Sequence, residues 1–423
     1  MGFRDDPRGF LTGLFRAAVA AADPERALAA RLPARPKGRT VVVGAGKGAA
    51  QLARAFERLW DGPLEGVVVT RYGYGAPCET IEVLEAAHPV PDEAGLRAAE
   101  RLLAAVSGLT PDDLVVALVC GGGSALLPAP PDGLTLADEI AVNEALLASG
   151  APISAMNTVR KHVSRIKGGR LAAAAAPAKV VSLLVSDIPG DNPALIASGP
   201  TVPDPAGRDA ALDIAHRYAM ELPPAVAAWL SRPACEAPTP DDPRFAGHEV
   251  TVIASAAISL EAAAEAAKAA GVAPVILSDS LEGEAREAAR AIGAIARETA
   301  NRGRPFAPPV VLLSGGETTV TLRGEGKGGR NGEFALSLGQ DVIGLDGVTA
   351  LAADTDGIDG SEDNAGAFVD GASWTRLRAL GHDAAALLAA NDSWSAFAAL
   401  GDLFVTGPTG TNVNDFRAVL IAG

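Results

Sequence analysis

Glycine-rich loops with charged neighbours are the residues of this chain best suited to chemistry. Five of them, each after a short apolar run, cover residues 44–48, 121–124, 314–318, 326–331 and 407–412. Glycine lets backbone N–H groups approach an anion closely, and a following helix adds the positive end of its dipole. The pattern predicts a protein that binds phosphate groups through several loops.

The first loop satisfies a dinucleotide-binding pattern but also carries a lysine. Gly44, Gly46 and Ala49 match G-x-G-x-x-G/A after three consecutive valines. The second predicted strand ends at Arg71, without the acidic residue that would bind a ribose. Lys47 would meet a phosphate or a carboxylate. The alternative is a tight strand-to-helix turn with a solvated lysine.

The second loop offers consecutive donors. Gly121, Gly122 and Gly123 can expose successive N–H groups, and Ser124 adds a hydroxyl. A flexible connection is the alternative, but a linker rarely needs an apolar strand directly before it.

A basic segment follows. Five lysines or arginines lie within residues 160–170 of an otherwise acidic chain. Helical spacing puts Arg160, Ser164 and Lys167 on one face. This face could clamp a substrate carboxylate or phosphate, or it could be a solvated surface.

Two acidic turns could hold Mg²⁺ or accept a hydroxyl proton. Asp187 and Asp191 follow a predicted strand together with Ser186, and Asp354 and Asp356 form the second turn. Ser186 and Asp191 are also candidates for binding the substrate. Ordinary turn chemistry is the alternative for both turns.

The C-terminal half adds an arginine and several polar donors. Arg330 directly precedes a predicted helix and could neutralise charge on a phosphoryl group. The nucleotide-binding candidates here are Thr318, Asn331, Thr409, Thr411 and Asn412.

Strands that alternate with helices must position these loops. The pattern predicts an α/β protein whose N-terminal domain is Rossmann-like, with three layers and a mostly parallel sheet. A proline-rich connection divides the 423 residues into domains 1–235 and 245–423. We also expect one helix over 8–31 and a strand over 318–322.

Composition excludes several classes of partner. A net charge of −15 disfavours nucleic acid and anionic membranes. Three distant cysteines without metal-ligand spacing indicate a reducing, cytoplasmic compartment, and no apolar stretch is long enough to span a bilayer. A homodimer is left open.

The chain resembles the class II glycerate 2-kinases, the MOFRL family, historically also labelled hydroxypyruvate reductase. The resemblance runs almost end to end, with the MOFRL region at about 309–420. The segments that carry it are 43–47, 88–92, 121–124, 157–171, 186–191, 198–201, 314–319, 328–333, 354–360 and 407–415. One departure is the turn at 255–258, where an asparagine is expected.

The resemblance implies transfer of a phosphoryl group from ATP, with Mg²⁺, to the 2-hydroxyl of D-glycerate. It implies a second α/β domain at the C-terminus, with the active site in the cleft between the domains. It also assigns functional roles to Lys47 and Arg330. With Asp187 they form the catalytic set that we expect, and direct in-line transfer needs no covalent nucleophile.

Two other functions are kept open. The glycine fingerprint would suit an NAD(P)H-dependent hydroxypyruvate reductase. The anion-binding loops would also suit a module that senses nucleotides or anions without turnover.

Overall fold

The computed structural model describes residues 2–423. The chain divides into two compact units, Pro24–Ile253 and Met1–Asp23 with Ala254–Gly423. This division differs from the predicted domains, because helix α1 (Pro7–Ala21) packs into the apolar core of the C-terminal unit. The single helix predicted over 8–31 is wrong. The chain turns after α1, and a separate helix α2 (Pro24–Ala29) begins at a proline that could not continue the first one.

The unit Pro24–Ile253 contains a doubly wound sheet. Its further elements are β1 (Thr40–Ala45), α3 (Ala49–Leu59), β2 (Glu65–Arg71), β3 (Ile81–Ala86), α4 (Glu93–Ala105), β4 (Leu114–Val119), α5 (Gly123–Leu126), α6 (Leu136–Ala148), α7 (Ile153–His162), α8 (Arg170–Ala174), β5 (Lys179–Val185), α9 (Arg208–Arg217), α10 (Pro224–Leu230) and β6 (Glu249–Ala254).

The strand order in this sheet is β3-β2-β1-β4-β5-β6, and the pairings from β3 through β5 are parallel. Every residue of β1 and β4 is buried, as expected where both faces of a parallel sheet are covered. This order is that of Rossmann-type nucleotide-binding folds. The predicted α/β fold with a mostly parallel N-terminal sheet is therefore confirmed.

The C-terminal unit is built on a second six-stranded sheet. Its elements after β6 are α11 (Ala256–Ala269), β7 (Ala273–Leu281), α12 (Ala285–Arg302), β8 (Val310–Gly316), α13 (Arg330–Asp341), β9 (Val348–Asp354), β10 (Gly366–Asp370), α14 (Ser373–Ala379), α15 (Ala384–Ala389), α16 (Ser393–Leu400), β11 (Leu403–Phe404) and β12 (Asp415–Ile421).

The order of this sheet is β11-β10-β9-β12-β8-β7. β7 and β8 are parallel, and the other pairings are antiparallel. One apolar cluster packs α12 and α13 against the sheet, and another packs α1 and α11 against it. The unit is therefore a layered α/β structure with a mixed sheet.

The strand predicted over 318–322 is wrong. Thr319 makes only an isolated bridge to Glu284. The Glu284 carboxylate also accepts hydrogen bonds from the backbone and hydroxyl of Thr321, so side-chain contacts replace a strand ladder. No helix within residues 2–423 is long and apolar enough to cross a membrane.

Candidate active site

The first two glycine loops meet at the carboxyl ends of adjacent parallel strands. β1 and β4 lie side by side where the direction of winding reverses, which is where doubly wound folds bind ligands. The Lys47 N–H donates to the carbonyl of Gly121 at 2.9 Å, and the Gly46 N–H donates to the carbonyl of Val69 at 3.1 Å. The lysine loop and the triple-glycine loop are therefore neighbours in the fold. We call this edge the N-terminal half-site.

A side chain on either of two glycines in the second loop would press against neighbouring side chains. A Cβ on Gly121 would lie 1.7 Å from Oδ2 of Asp187. Gly122 has a φ of +79°, and a Cβ there would lie 3.0 Å from Lys47 Cγ and 3.1 Å from His88 Nε2. The loop is thus surrounded by an acid, a lysine and a histidine, and glycine keeps its backbone accessible to them.

His88 is a site residue that functional reasoning from the sequence passed over. Burial, with the nearby charges of Lys47 and Arg71, lowers its pKa to about 4. The imidazole is therefore neutral at pH 7 and can accept or donate one hydrogen bond without adding charge. Burial raises the pKa of the neighbouring Cys120 to about 12, so that thiol is not a nucleophile at pH 7.

A chain of hydrogen bonds links the second loop to the basic segment. Ser124 Oγ lies 2.7 Å from Ser198 Oγ, which donates to Asn157 Oδ1 at 3.0 Å. Arg160 donates from Nη1 to the same amide oxygen at 3.2 Å and from Nε to Asn143 Oδ1 at 2.8 Å. The sequence analysis missed Asn157 and Ser198 as members of this network.

Arg160 makes no ion pair among the described residues, although the charge of Glu139, which is paired with Lys167, favours its protonated form. Its side-chain partners are the neutral amide oxygens of Asn143 and Asn157, and burial lowers its pKa. A half-buried guanidinium of this kind would be stabilised by an anionic ligand. The structure therefore favours the anion clamp over the solvated face for Arg160.

The backbone beside Ser198 is strained. Ala197, Ser198 and Gly199 all have left-handed φ values, of 51°, 59° and 59°. Two consecutive non-glycine residues in this region are unusual and often occur where the chain must aim a functional group. Here the strain directs the Ser198 hydroxyl into the network.

Other predicted residues of this half are placed less favourably for substrate. Lys167 Nζ lies 2.5 Å from Glu139 Oε1, and both side chains are buried, so its charge is already paired. Ser186 is buried, with its hydroxyl near the backbone of Ile188. Asp191 lies in a 3₁₀ turn with a φ of 50°. Their roles toward substrate stay predictions.

The C-terminal half-site is centred on Arg330, the first residue of α13. Asp415 is in register with Gly316 on one side and Asp354 on the other, which brings the ends of three strands together. Arg330 binds Asp415, Asp354 and Glu317 at 2.7, 2.7 and 2.8 Å. Burial alone would lower the pKa of Arg330, but the three carboxylates outweigh it and raise the pKa.

Buried polar side chains fix the position of the Asp415 carboxylate. Arg417, 1% exposed, donates to Asp415 and, at 2.8 Å, to Thr318 Oγ1, and its guanidinium lies 4.8 Å from the ring centre of Phe334. Asn331 Nδ2 donates to Asp415 Oδ1 at 2.7 Å. The predicted nucleotide donors Thr318 and Asn331 thus position a carboxylate.

The second acidic turn caps α13. Asp359 accepts from two N–H groups at the start of this helix, at 2.9 and 2.7 Å. Burial, together with the charge of Asp415, raises the pKa of Asp359 to about 6. Burial and the charges of Asp356 and Asp415 also raise the pKa of Asp354. This half-site therefore holds more negative charge than its arginines balance.

The remaining predicted donors are engaged within the protein. Thr409 donates to the carbonyl of Thr355 at 2.5 Å, and Thr411 donates to a carbonyl at the end of α1, that of Ala22, at 2.8 Å. Asn412 Nδ2 lies 3.4 Å from a carboxylate oxygen of the acidic turn. Ser255, in the turn where the family pattern predicted asparagine, is buried and caps α11.

The acidic turn is a predicted place for a divalent cation. No group of three or more His, Cys, Asp or Glu arranged for a metal occurs in the described part of the chain. Mg²⁺, however, commonly takes only one or two carboxylates and completes its shell with waters and phosphate oxygens. Five carboxylates surround two arginines here, namely Glu317, Asp354, Asp356, Asp359 and Asp415 around Arg330 and Arg417. Asp354 and Asp356 could hold such a cation.

The fold places the chain in the α/β class, with a doubly wound sheet in the unit Pro24–Ile253. Comparison with known proteins is more specific. The family described as a domain of unknown function, DUF4147, matches residues 10–231, and the MOFRL family matches residues 310–415.

Relatives match along nearly the whole length. A glycerate 2-kinase of Pyrococcus horikoshii is 43% identical, over 91% of this chain and 88% of its own. A protein of Agrobacterium vitis named "Putative hydroxypyruvate reductase" is 56% identical, over 98% of this chain and 94% of its own. The crystal structure of a glycerate kinase from Thermotoga maritima superposes with a TM-score of 0.91 at 39% identity, covering 99% of this chain and all of that one. The chain belongs to the MOFRL family of glycerate 2-kinases, which confirms the resemblance seen in the sequence.

Proposed function

We propose that this protein transfers the γ-phosphoryl group of ATP to the 2-hydroxyl of D-glycerate, giving 2-phosphoglycerate. The observation that carries the proposal is the gathering of Lys47, the Gly121–Gly122 backbone and Asp187 at the strand-order reversal of a chain in this family. Relatives named for glycerate phosphorylation are 40–43% identical to the chain over most of its length.

Arg160 and Lys47 are assigned to the anionic groups of the reactants. Arg160 is hydrogen-bonded only to amide oxygens and makes no ion pair among residues 2–423, and a glycerate carboxylate would supply one. Lys47 lies against the glycine loop, where it can serve either the glycerate carboxylate or a bridging phosphate oxygen. Residues 121–124 would hold nucleotide phosphates through backbone N–H groups and the Ser124 hydroxyl.

Asp187 is the carboxylate we assign to the attacking hydroxyl. Its oxygens lie directly beside Gly121, next to the loop that would hold the phosphates. An aspartate there can orient the 2-hydroxyl and take its proton as the new P–O bond forms. No covalent intermediate is required, since positioning and electrostatics dominate phosphoryl transfer.

Arg330 and the acidic turn are assigned to the negative charge of the phosphoryl group that is transferred. Arg330 already binds three carboxylates, so a nucleotide could approach this half-site only with a compensating cation. Asp354 and Asp356 would hold Mg²⁺, which would neutralise part of the negative charge of the phosphate groups. Arg330 would stabilise negative charge on the oxygens of the transferred phosphoryl group.

The proposal is tested by measuring ADP release with ATP, MgCl₂ and D-glycerate. We expect turnover in the unmodified protein and a loss of at least about a hundredfold in Lys47→Gln. Lys37→Gln is the control, because Lys37 is an exposed lysine of the same unit outside the half-site. ATP binding without turnover would instead support a sensing module, and equal rates in the two variants would remove Lys47 from the chemistry.

The second candidate is a hydroxypyruvate reductase that uses NAD(P)H. The glycine fingerprint at Gly44, Gly46 and Ala49 in a sheet of Rossmann order favours it. Against it, β2 ends at Arg71, where a dinucleotide site usually has an acidic residue. NADH or NADPH consumption with hydroxypyruvate, in the absence of ATP, would establish the reductase.

We place the protein in the cytoplasm. Its three cysteines, Cys78, Cys120 and Cys235, are all free thiols. Free thiols are expected in a reducing compartment. Fractionation of the source cells would test this placement.

A further inference from the structure

A second cationic site lies in the unit Pro24–Ile253, formed by residues that take no part in the half-site described above. It is a cavity of about 560 Å³ between α8 and the proline-rich segment 236–244. Its polar lining residues are Arg165, Arg170, Thr239, Glu236, Asp242 and Arg244. We call it the arginine cavity. Its volume is in the range of small-molecule binding sites.

The guanidinium of Arg165 is hydrogen-bonded to the described part of the protein through Nε and not through its two terminal nitrogens. Its backbone N–H donates to the carbonyl of Ala129 at 2.7 Å, and its Nε donates to the carbonyl of Pro130 at 2.9 Å. The two terminal nitrogens make no hydrogen bond or ion pair to any residue in the range 2–423. An exposed arginine held in this way offers two parallel donors to an incoming oxyanion.

Arg170 contributes a second positive charge and makes no ion pair in the described chain, although the charge of Glu236 favours its protonated form. Its terminal nitrogens donate to the carbonyls of Lys161, Cys235 and Glu236 at 2.7, 2.8 and 2.9 Å. Burial lowers its pKa to about 10, so it is still protonated at pH 7. Neutral carbonyls orient this cation but do not cancel its charge, and an anion in the cavity would do so.

Both carboxylates that line the cavity already have partners within the protein. Asp242 pairs with Arg244, with Oδ2 and Nη2 2.5 Å apart. Glu236 accepts the backbone N–H of Arg208 at 3.0 Å. Three arginines and two carboxylates leave an excess of one positive charge, in a chain whose net charge is −15. This local excess is the reverse of the overall charge.

We propose that the arginine cavity binds a small phosphate monoester, with Arg165 and Arg170 as its cationic ligands. Guanidinium groups match the geometry of phosphate oxygens and bind them through paired hydrogen bonds. The excess of one positive charge in the cavity offsets part of the charge of such an anion. This site is separate from the transfer of the phosphoryl group and does not depend on the function proposed above.

The test is calorimetric titration of the full-length protein with inorganic phosphate at fixed ionic strength. We expect the dissociation constant to rise at least about tenfold in Arg165→Gln, because one charge-assisted hydrogen-bonding group is lost. Arg165→Lys should give an intermediate value, since it keeps the charge but not the paired donors. Arg165 is exposed, so neither variant should unfold the protein, and circular dichroism checks this.

Two further variants separate the cavity from the half-site. Phosphate binding to the cavity should persist in Lys47→Gln, which alters only the half-site. It should also be unchanged in Arg232→Gln, which removes an exposed arginine of the same unit that does not line the cavity. Wild-type affinity in Arg165→Gln would overturn the proposal. So would the absence of millimolar phosphate binding in the unmodified protein, or the loss of all binding in Lys47→Gln.

Discussion

The replacement of Gly122 by alanine isolates the contribution of Lys47 and His88 to turnover. Two effects are expected. The left-handed φ of +79° costs an alanine about 1–2 kcal/mol of stability. The new Cβ would also lie 3.0 Å from Lys47 Cγ and 3.1 Å from His88 Nε2, so both side chains must move by a few tenths of an ångström.

The size of the kinetic effect follows from that displacement. A misplacement of about 1 Å can cost roughly a hundredfold in rate. A shift of a few tenths of an ångström in Lys47 should therefore lower kcat/KM for D-glycerate by about five- to tenfold.

The matched control is Gly108→Ala in the same unit. Gly108 has a φ of +70°, and a Cβ added there would have nothing within 4 Å, so this variant carries the backbone penalty alone. Urea denaturation should show similar losses of stability in both variants, while ADP release should fall only in Gly122→Ala. Full activity in Gly122→Ala, or an equal loss in Gly108→Ala, would refute the assignment of this loop.

Three other variants test neighbouring parts of the account. Arg330→Gln should lower kcat at least about a hundredfold in the ADP-release assay, and it should also destabilise the fold in urea because three carboxylates each lose their ion pair with Arg330. Lys167→Met should cost about 3–5 kcal/mol in urea by leaving Glu139 buried and unpaired, and adding Glu139→Leu should recover most of the loss. His88 binds a proton more weakly when folded, with a pKa of about 4 rather than 6.5. Its contribution, about 1–2 kcal/mol once its partial exposure to solvent is allowed for, is therefore present above pH 6.5 and is lost as the pH falls toward about 4. His88→Gln should flatten the acid side of the stability profile, and an unchanged slope would exclude this histidine as the cause.

The positions of the two glycine loops could be predicted from the sequence, because each loop follows a buried strand. A glycine loop after each buried parallel strand must lie at the carboxyl edge of the sheet. Once β1 and β4 are neighbours, Lys47 and Gly121 meet without any further information. His88 escaped notice as a functional group because it follows β3, two strands from β1 in the sheet, and only the folded chain brings it to Gly122.

The charges were harder to predict because ion pairs are made between distant residues. Lys167 has the sequence context of a substrate clamp, yet it pairs with Glu139, which lies on α6. Arg330 has three carboxylate partners that come from 13 to 85 residues away. The cleft predicted between the domains, and the cooperation of the two half-sites in it, stay predictions.

The central claim is tested most directly by identifying the product. The protein should be incubated with ATP, MgCl₂ and D-glycerate, and the product resolved by ³¹P and ¹H NMR against 2- and 3-phosphoglycerate standards. We expect 2-phosphoglycerate, formed in step with ADP and absent without ATP. Formation of 3-phosphoglycerate, or recovery of unmodified D-glycerate after ATP binding has been demonstrated, would contradict it.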